Sequence, residues 1–177
     1  MNIAQVRLIH QIMTSADTCG IPLWISGGWA IDARLGEITR DHDDIDLTFP
    51  ADRQADFEAM LADLGGQVTE RTDYGFLARL RGVLLDCEPA RWSGTAYEID
   101  DAPEGSCPAN AEGILEGIPV RCNSWEAILW DYFYYLDEVP RIQWPGKHVQ
   151  SYAMVVAALG DDRVRSLRAV FDSRHPG

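Results

Sequence analysis

Ser26-Gly27-Gly28-Trp29-Ala30-Ile31-Asp32, followed closely by Asp43-Asp44-Ile45-Asp46-Leu47, is the stretch on which the rest of the chain turns. Before it, residues 21–25 form a short apolar run suited to a buried strand. Ser26-Gly27-Gly28 turns the chain, residues 29–35 read as a helix stopped by Gly36, and residues 45–49 read as the next strand, closed by Pro50. Glycines at a strand-to-helix turn let backbone N–H groups approach a phosphate, and the helix N-terminus adds favourable partial charge. Asp44 and Asp46 lie two apart on a strand, so they project to one face while Ile45 and Leu47 point into the core. Two carboxylates on one face repel unless a cation sits between them, and an oxygen-only pair suits Mg²⁺. Taken singly, the glycines describe a tight turn and the acids a solvated loop. The order strand, glycine turn, helix, Asp-x-Asp strand is far more specific than either.

Working outward, Val6, Ile9, Met13 and Ala16 fall at helical spacing over residues 3–18, and Phe57, Met60, Leu61 and Leu64 mark a second helix over 52–64. Residues 67–71, 76–81 and 83–88 read as successive strands, with Arg81-Gly82 a tight turn. Residues 92–117 read mostly as loop, with one strand at 96–99, and 120–122 as closing the sheet. Asn123 with Glu126 fits a capping box that opens an apolar helix ending near Val139-Pro140, and helices follow over 147–159 and 162–173. The expected fold class is α+β: a mixed sheet with helices over residues 1–122, then a small helical lobe over 123–177. Asp86 enters after the apolar run Val83-Leu84-Leu85, where an acid needs a cation or hydrogen bonds. Placed beside the Asp-x-Asp strand it completes a three-carboxylate site for two metal ions of the kind that serves in-line phosphoryl chemistry. Glu88 shares its face.

The chain has 177 residues and a net charge of −13, with 46% hydrophobic residues, enough for a real core. That acidity argues against a nucleic-acid binder, since neutralising phosphates takes surplus Lys and Arg, and favours cationic partners. The charge is uneven: residues 86–138 carry 12 acids against two bases, whereas the segment after Glu138 carries six bases against three acids, including Lys147, the only lysine. No apolar run approaches the roughly 18 to 20 residues that span a bilayer, so no membrane association, a cytoplasmic location and a monomer are expected. Cys19, Cys87, Cys107 and Cys122 show no metal-finger spacing and read as buried free thiols.

The two signature stretches resemble those of the small antibiotic nucleotidyltransferases of the polymerase-β-like superfamily. The likeness continues through Tyr74-Gly75-Phe76-Leu77-Ala78, Leu84-Leu85-Asp86-Cys87-Glu88-Pro89-Ala90, Gly105-Ser106-Cys107-Pro108 and Arg121 to Tyr135, where the chain is similar to the aminoglycoside 2''-nucleotidyltransferases over essentially its whole length. That resemblance implies transfer of AMP from ATP to the 2''-hydroxyl of 4,6-disubstituted aminoglycosides. Asp44, Asp46 and Asp86 would hold two Mg²⁺ ions, Asp86 would also be the general base, and Gly27 and Gly28 would cradle the triphosphate. Arg40 and Lys147 are expected on the leaving phosphates, with His42 placed to orient the acids or touch phosphate. Glu88, Asp100 and Asp131 are expected to meet drug ammonium groups, with Tyr134, three residues from Asp131 on a helix, as a wall. Two alternatives remain at this level. A lincosamide nucleotidyltransferase would not need the acidic 86–138 segment, and a non-catalytic binding module would not need all three acids.

Overall fold

The computed structural model describes residues 2–176. In chain order its elements are α1 (Asn2–Thr18), β1 (Trp24–Ile25), α2 (Gly27–Leu35), β2 (Asp44–Pro50), α3 (Gln54–Asp63), β3 (Gln67–Arg71), β4 (Phe76–Leu80), β5 (Val83–Trp92), β6 (Tyr97–Ile99), β7 (Gly113–Leu115), β8 (Ile118–Val120), α4 (Trp125–Glu138), α5 (Gly146–Leu159) and α6 (Asp161–Arg174). The main sheet has the order β1-β2-β5-β4-β3, with β6 added to the far end of β5. Only β2 and β5 pair in parallel; the other pairings are antiparallel, so the sheet is mixed. The fold is the expected α+β arrangement.

The period of two dictates which way β2 and β5 face. Ile45, Leu47, Phe49, Leu85 and Cys87 are buried in the core. There Phe49 stacks on Phe57 of α3 at 5.0 Å and packs against Phe76 of β4 at 5.4 Å. Truncating one of these rings to Ala is expected to cost about 3–5 kcal/mol. The alternate residues, Asp44, Asp46, Asp86 and Glu88, are thereby held on the opposite face. The helices α4, α5 and α6 pack on one another, and α5 also touches α2. Trp130, Phe133, Val155, Leu167 and Phe171 of these helices belong to the same apolar core as the sheet residues. Among the described residues no helix is long and apolar enough to cross a membrane.

Several local expectations change. The strand expected over 21–25 shortens to Trp24–Ile25, since Pro22 has no N–H to give to a ladder. Val120 does not close the sheet. It belongs to a hairpin, β7–β8, turned through Glu116 and Gly117, both at positive φ (50° and 76°), which suits the right-handed strand twist. Only Cys122 reaches the main sheet, as an isolated parallel bridge to Ile25. The capping box is replaced by a simpler cap: Ser124 Oγ accepts the Ala127 N–H at 3.1 Å. Asn123 instead turns inward, where its amide donates to Thr48 Oγ1 at 2.9 Å. Of the four free cysteines, Cys19 is exposed at the end of α1 rather than buried.

Candidate active site

The parallel register sets Asp46 opposite Asp86 and Thr48 opposite Glu88, with Asp44 one step earlier opposite Leu84. Partners in a parallel pair share a face, so two strands separated by some forty residues of chain bring four carboxylates to one patch. Asp131 of α4 joins them. Ser26, Gly27, Asp46, Leu47, Tyr74, Asp86, Glu88 and Asp131 line one pocket of about 230 Å³. An adjoining pocket of about 240 Å³ shares Gly27, Asp46 and Asp131. It adds Gly28, Arg40, Asp44, Lys147 and His148, with Tyr132 and Tyr135 of α4. One cleft therefore has an acidic end and an end that carries the cations.

Close packing makes both glycines obligatory. Gly27 has φ +54°, and a Cβ there would lie 1.9 Å from Asp46 Oδ2; a Cβ on Gly28 would meet an Arg40 guanidinium nitrogen at 2.4 Å and His42 Nδ1 at 2.7 Å. The first helical hydrogen bond of α2 is from Ala30 N–H to the Ser26 carbonyl, and Ser26 supplies no side-chain cap. Earlier amides of α2 thus lack a partner within the helix, a setting suited to an anion. Behind this turn, buried His42 meets Asp32 Oδ2 at 2.6 Å, Thr39 donates to Asp32 Oδ1 at 2.6 Å, and the imidazole stacks on Trp29 at 4.2 Å. His42 therefore braces the turn from beneath, held by Asp32 of the signature stretch, instead of facing the cleft to orient the acids or touch phosphate.

The carboxylates carry a strong electrostatic strain. Burial, then Asp44 and Asp86, push Asp46 up to about 7. Burial, then Asp86 and Asp100, push Glu88 up to about 7. Asp86 is raised by burial and by Asp44, against a hydrogen bond from the Tyr74 hydroxyl that favours its charged form. Asp131 keeps solvent access in the cleft, yet protein crowding, then Glu88 and Asp46, hold it well above the usual carboxylate range. Such a cluster demands cations.

An acid whose pKa is higher in the folded state than in the unfolded one costs stability as pH rises through the unfolded value and on to the folded value. The metal-free protein should therefore lose stability between about pH 4 and 7 through Asp46. Asp46→Asn, which mimics the protonated acid, is expected to raise the metal-free melting temperature by several degrees at pH 8, at about 2–4 °C per kcal/mol for a chain of this size, and by less at pH 5. Scanning calorimetry at the two pH values checks this; an equal gain at both, or a loss at pH 8, would contradict the strain.

The donor set fits Mg²⁺ in a particular way. Among the described residues no three carboxylate, imidazole or thiol groups converge into a ready-made metal cage. Asp44 and Asp46 on β2 with Asp86 across the ladder nevertheless offer hard oxygens on one face. Mg²⁺ commonly takes one or two carboxylates and completes its shell with water and substrate phosphates, so this set fits an ion that enters with a nucleotide.

The remaining expected residues fall in different places. Lys147 lines the cleft and meets Asp43 Oδ2 at 2.8 Å; both partners are exposed, so the pair contributes little and yields readily to a phosphate. Arg40 lines the same cleft. Asp100 is exposed, pairs with Arg91 at 2.6 Å and borders a further hollow that it shares with Glu88 and Tyr74. Tyr134 is not in the cleft. Its hydroxyl donates to Asp101 at 2.7 Å and its ring packs edge-on against Phe171 at 4.8 Å. The cleft-facing stripe of α4 is Ile128, Asp131, Tyr132 and Tyr135, and Tyr134 sits about 100° round the helix from Tyr135. The i,i+4 pairs 128/132 and 131/135 would have found that stripe; the i,i+3 pair 131/134 points off it. Tyr74 and His148 had no signal of comparable strength.

The family model described as aminoglycoside-2''-adenylyltransferase matches residues 8–153. A 2''-aminoglycoside nucleotidyltransferase of Klebsiella pneumoniae is 62% identical over 175 residues, covering 99% of each chain. Among solved structures, ANT(2'')-Ia in complex with adenylyl-2''-tobramycin superposes with a TM-score of 0.95 at 60% identity, covering 97% of this chain and 99% of that one. The lincomycin-bound lincosamide adenylyltransferase LnuA superposes with a TM-score of 0.62 at 17% identity, covering 82% and 92%, a likeness of fold alone.

Proposed function

Because the chain belongs to the aminoglycoside-2''-adenylyltransferase family, we propose that it transfers AMP from ATP to the 2''-hydroxyl of 4,6-disubstituted aminoglycosides such as kanamycin, gentamicin and tobramycin, releasing pyrophosphate. The observation that carries this reading is the convergence of Asp46, Asp86, Glu88 and Asp131 on one pocket beside a cation-bearing pocket with free helix amides. A polyamine substrate answers the first and a triphosphate the second.

The amides at Gly27 and Gly28, with Arg40 and Lys147, bind and orient the triphosphate, and Lys147 exchanges Asp43 for phosphate as it does so. Asp44, Asp46 and Asp86 would hold the Mg²⁺ ions, which when bound supply positive charge to the phosphoryl oxygens. Glu88 and Asp131, and Asp100 at the edge, pair with drug ammonium groups and fix the hydroxyl in reach of the phosphorus. Asp86 takes the proton of that hydroxyl, the oxygen forms its bond to the α-phosphorus, and the bond to the bridging oxygen breaks as pyrophosphate leaves. A sugar hydroxyl is a weak nucleophile at neutral pH, and a positioned base contributes typically about 10²–10⁴-fold to such a step. The acidic acceptor pocket favours an aminoglycoside over a lincosamide, which carries little charge.

The direct test is pyrophosphate release from ATP with and without kanamycin, followed by NMR mapping of the product. Release that depends on the drug, with phosphorus coupling at the 2'' position, is the expected result; modification at another hydroxyl, or release indifferent to the drug, contradicts it. The apparent KM for kanamycin should also rise several-fold between 0.05 and 0.5 M KCl, because attraction between a polycation and these acids is screened. A KM for kanamycin that salt leaves flat would remove the acidic pocket from drug recognition.

A further inference from the structure

The turn between β3 and β4 is built against the strand that carries Asp86. Thr72 Oγ1 accepts the Gly75 N–H at 2.8 Å and the Thr72 N–H donates to the Gly75 carbonyl at 3.0 Å, which closes the turn on itself. Gly75 then lies so close to β5 that a Cβ there would sit 2.0 Å from the Cys87 carbonyl oxygen. Only glycine permits that approach. Its result is that the exposed Tyr74, at the tip, donates its hydroxyl to Asp86 Oδ2 at 3.1 Å. Among the described residues no other side-chain or turn hydrogen bond reaches the Asp86 carboxyl, so its Oδ1 has no protein donor. Tyr74 also borders both the acidic pocket and the hollow beside it.

We infer that Tyr74 is a positioning residue for the general base: its hydroxyl fixes the rotation of the Asp86 carboxyl by taking up one lone pair of Oδ2, which leaves the remaining carboxylate lone pairs for the substrate hydroxyl and for the metal ion that Asp86 would hold. The inference rests on the assignment of Asp86 as the base. A carboxylate on a two-bond side chain otherwise rotates about its terminal torsion, which has broad wells, and is pushed away by Asp44. The Tyr74 hydrogen bond opposes both. Proton transfer needs a heavy-atom separation near hydrogen-bond length in the reacting complex, and a misplacement of about 1 Å costs as much as 10²-fold.

Tyr74→Phe keeps the ring and removes the hydroxyl. Under saturating ATP, Mg²⁺ and kanamycin, the single-turnover rate of adenylyl transfer is expected to fall about 10- to 100-fold, while KM for both substrates stays within about twofold, a split that loss of folding or of a binding wall would not produce. Gly75→Ala, which drives the turn off β5, is expected to lose rate similarly. In an Asp86→Asn background, where residual transfer is followed with radiolabelled ATP, Tyr74→Phe should add no further loss, because residues acting through one another are not additive. An unchanged single-turnover rate in Tyr74→Phe, or a full additional loss on top of Asp86→Asn, overturns the inference and leaves the base assignment standing. Full turnover in Asp86→Asn itself overturns both.

Discussion

Asp86→Asn is expected to lower turnover by at least about 10³-fold, since under the proposed mechanism it removes the proton acceptor and one oxygen ligand for Mg²⁺ in a single step. Asn has nearly the same shape as Asp, so the register that sets residue 86 opposite Asp46 should survive, as should the contact with Tyr74. The loss should then fall on kcat, with the KM for kanamycin little altered because Glu88 and Asp131 keep their places in the pocket. Folding should not suffer. The raised pKa of Asp86 comes from burial and from Asp44, and Asp86 in turn helps to raise Asp46 and Glu88, so the neutral amide relieves repulsion. The measurement is drug-dependent pyrophosphate release alongside a melting curve. A folded Asp86→Asn protein with turnover within tenfold of the parent would transfer the base role to another group, of which Glu88 is next on the same face.

Gly27→Ala should be nearly as severe. Its Cβ would fall 1.9 Å from Asp46 Oδ2, so either the carboxylate moves or the start of α2 lifts away from β2. Both separate the amides proposed to bind phosphate from the acids proposed to hold Mg²⁺, and a loss of about 10²-fold or more in kcat/KM for ATP is then expected from misplacement alone. The backbone adds strain because φ is +54°. Gly36→Ala separates the two effects: Gly36 has φ +73° with nothing within 4 Å of its would-be Cβ. That variant should lower the melting temperature through a left-handed penalty of about 1–2 kcal/mol and leave kcat/KM alone. If both alanine variants keep activity, close approach at Gly27 is not what builds the site; if both lose it equally, strain rather than contact is responsible.

Much of this site is written in spacings of two and of three to four. Asp44 and Asp46 share a face because a strand repeats every second residue, and the apolar residues between them make the opposite face core. The same period puts Glu88 with Asp86. Gly27-Gly28 between a strand and a helix marks a close turn locally. Local pattern does not decide the structure where two periodic solutions compete or where the chain turns without an apolar signature. Tyr134 and Tyr135 lie three and four residues beyond Asp131, on either side of one helical turn, and which one faces the cleft depends on how α4 docks against the sheet and α5. The β7–β8 hairpin has strands of three residues, too short for alternation to show above a Pro- and Gly-rich background. Asn123 and Ser124 are both good helix caps, and Thr48, on a strand far away in sequence, settles which is used by binding the side chain of Asn123.

The amino-acid sequence by itself determined the α+β class, the nucleotidyltransferase signature and the identity of the acids, because each is a matter of residue type and local period. Tertiary structure alone decided that Asp46 stands opposite Asp86, that Asp131 closes the pocket from a third element, and that Tyr74 reaches Asp86. These depend on the register of two strands about forty residues apart and on the docking of a helix. A one-residue slip in that register would send every side chain of the strand to the other face without changing any local pattern. The net charge of −13 likewise says only that cations are favoured; their destination is set by the packing that brings Asp46, Asp86, Glu88 and Asp131 onto one pocket.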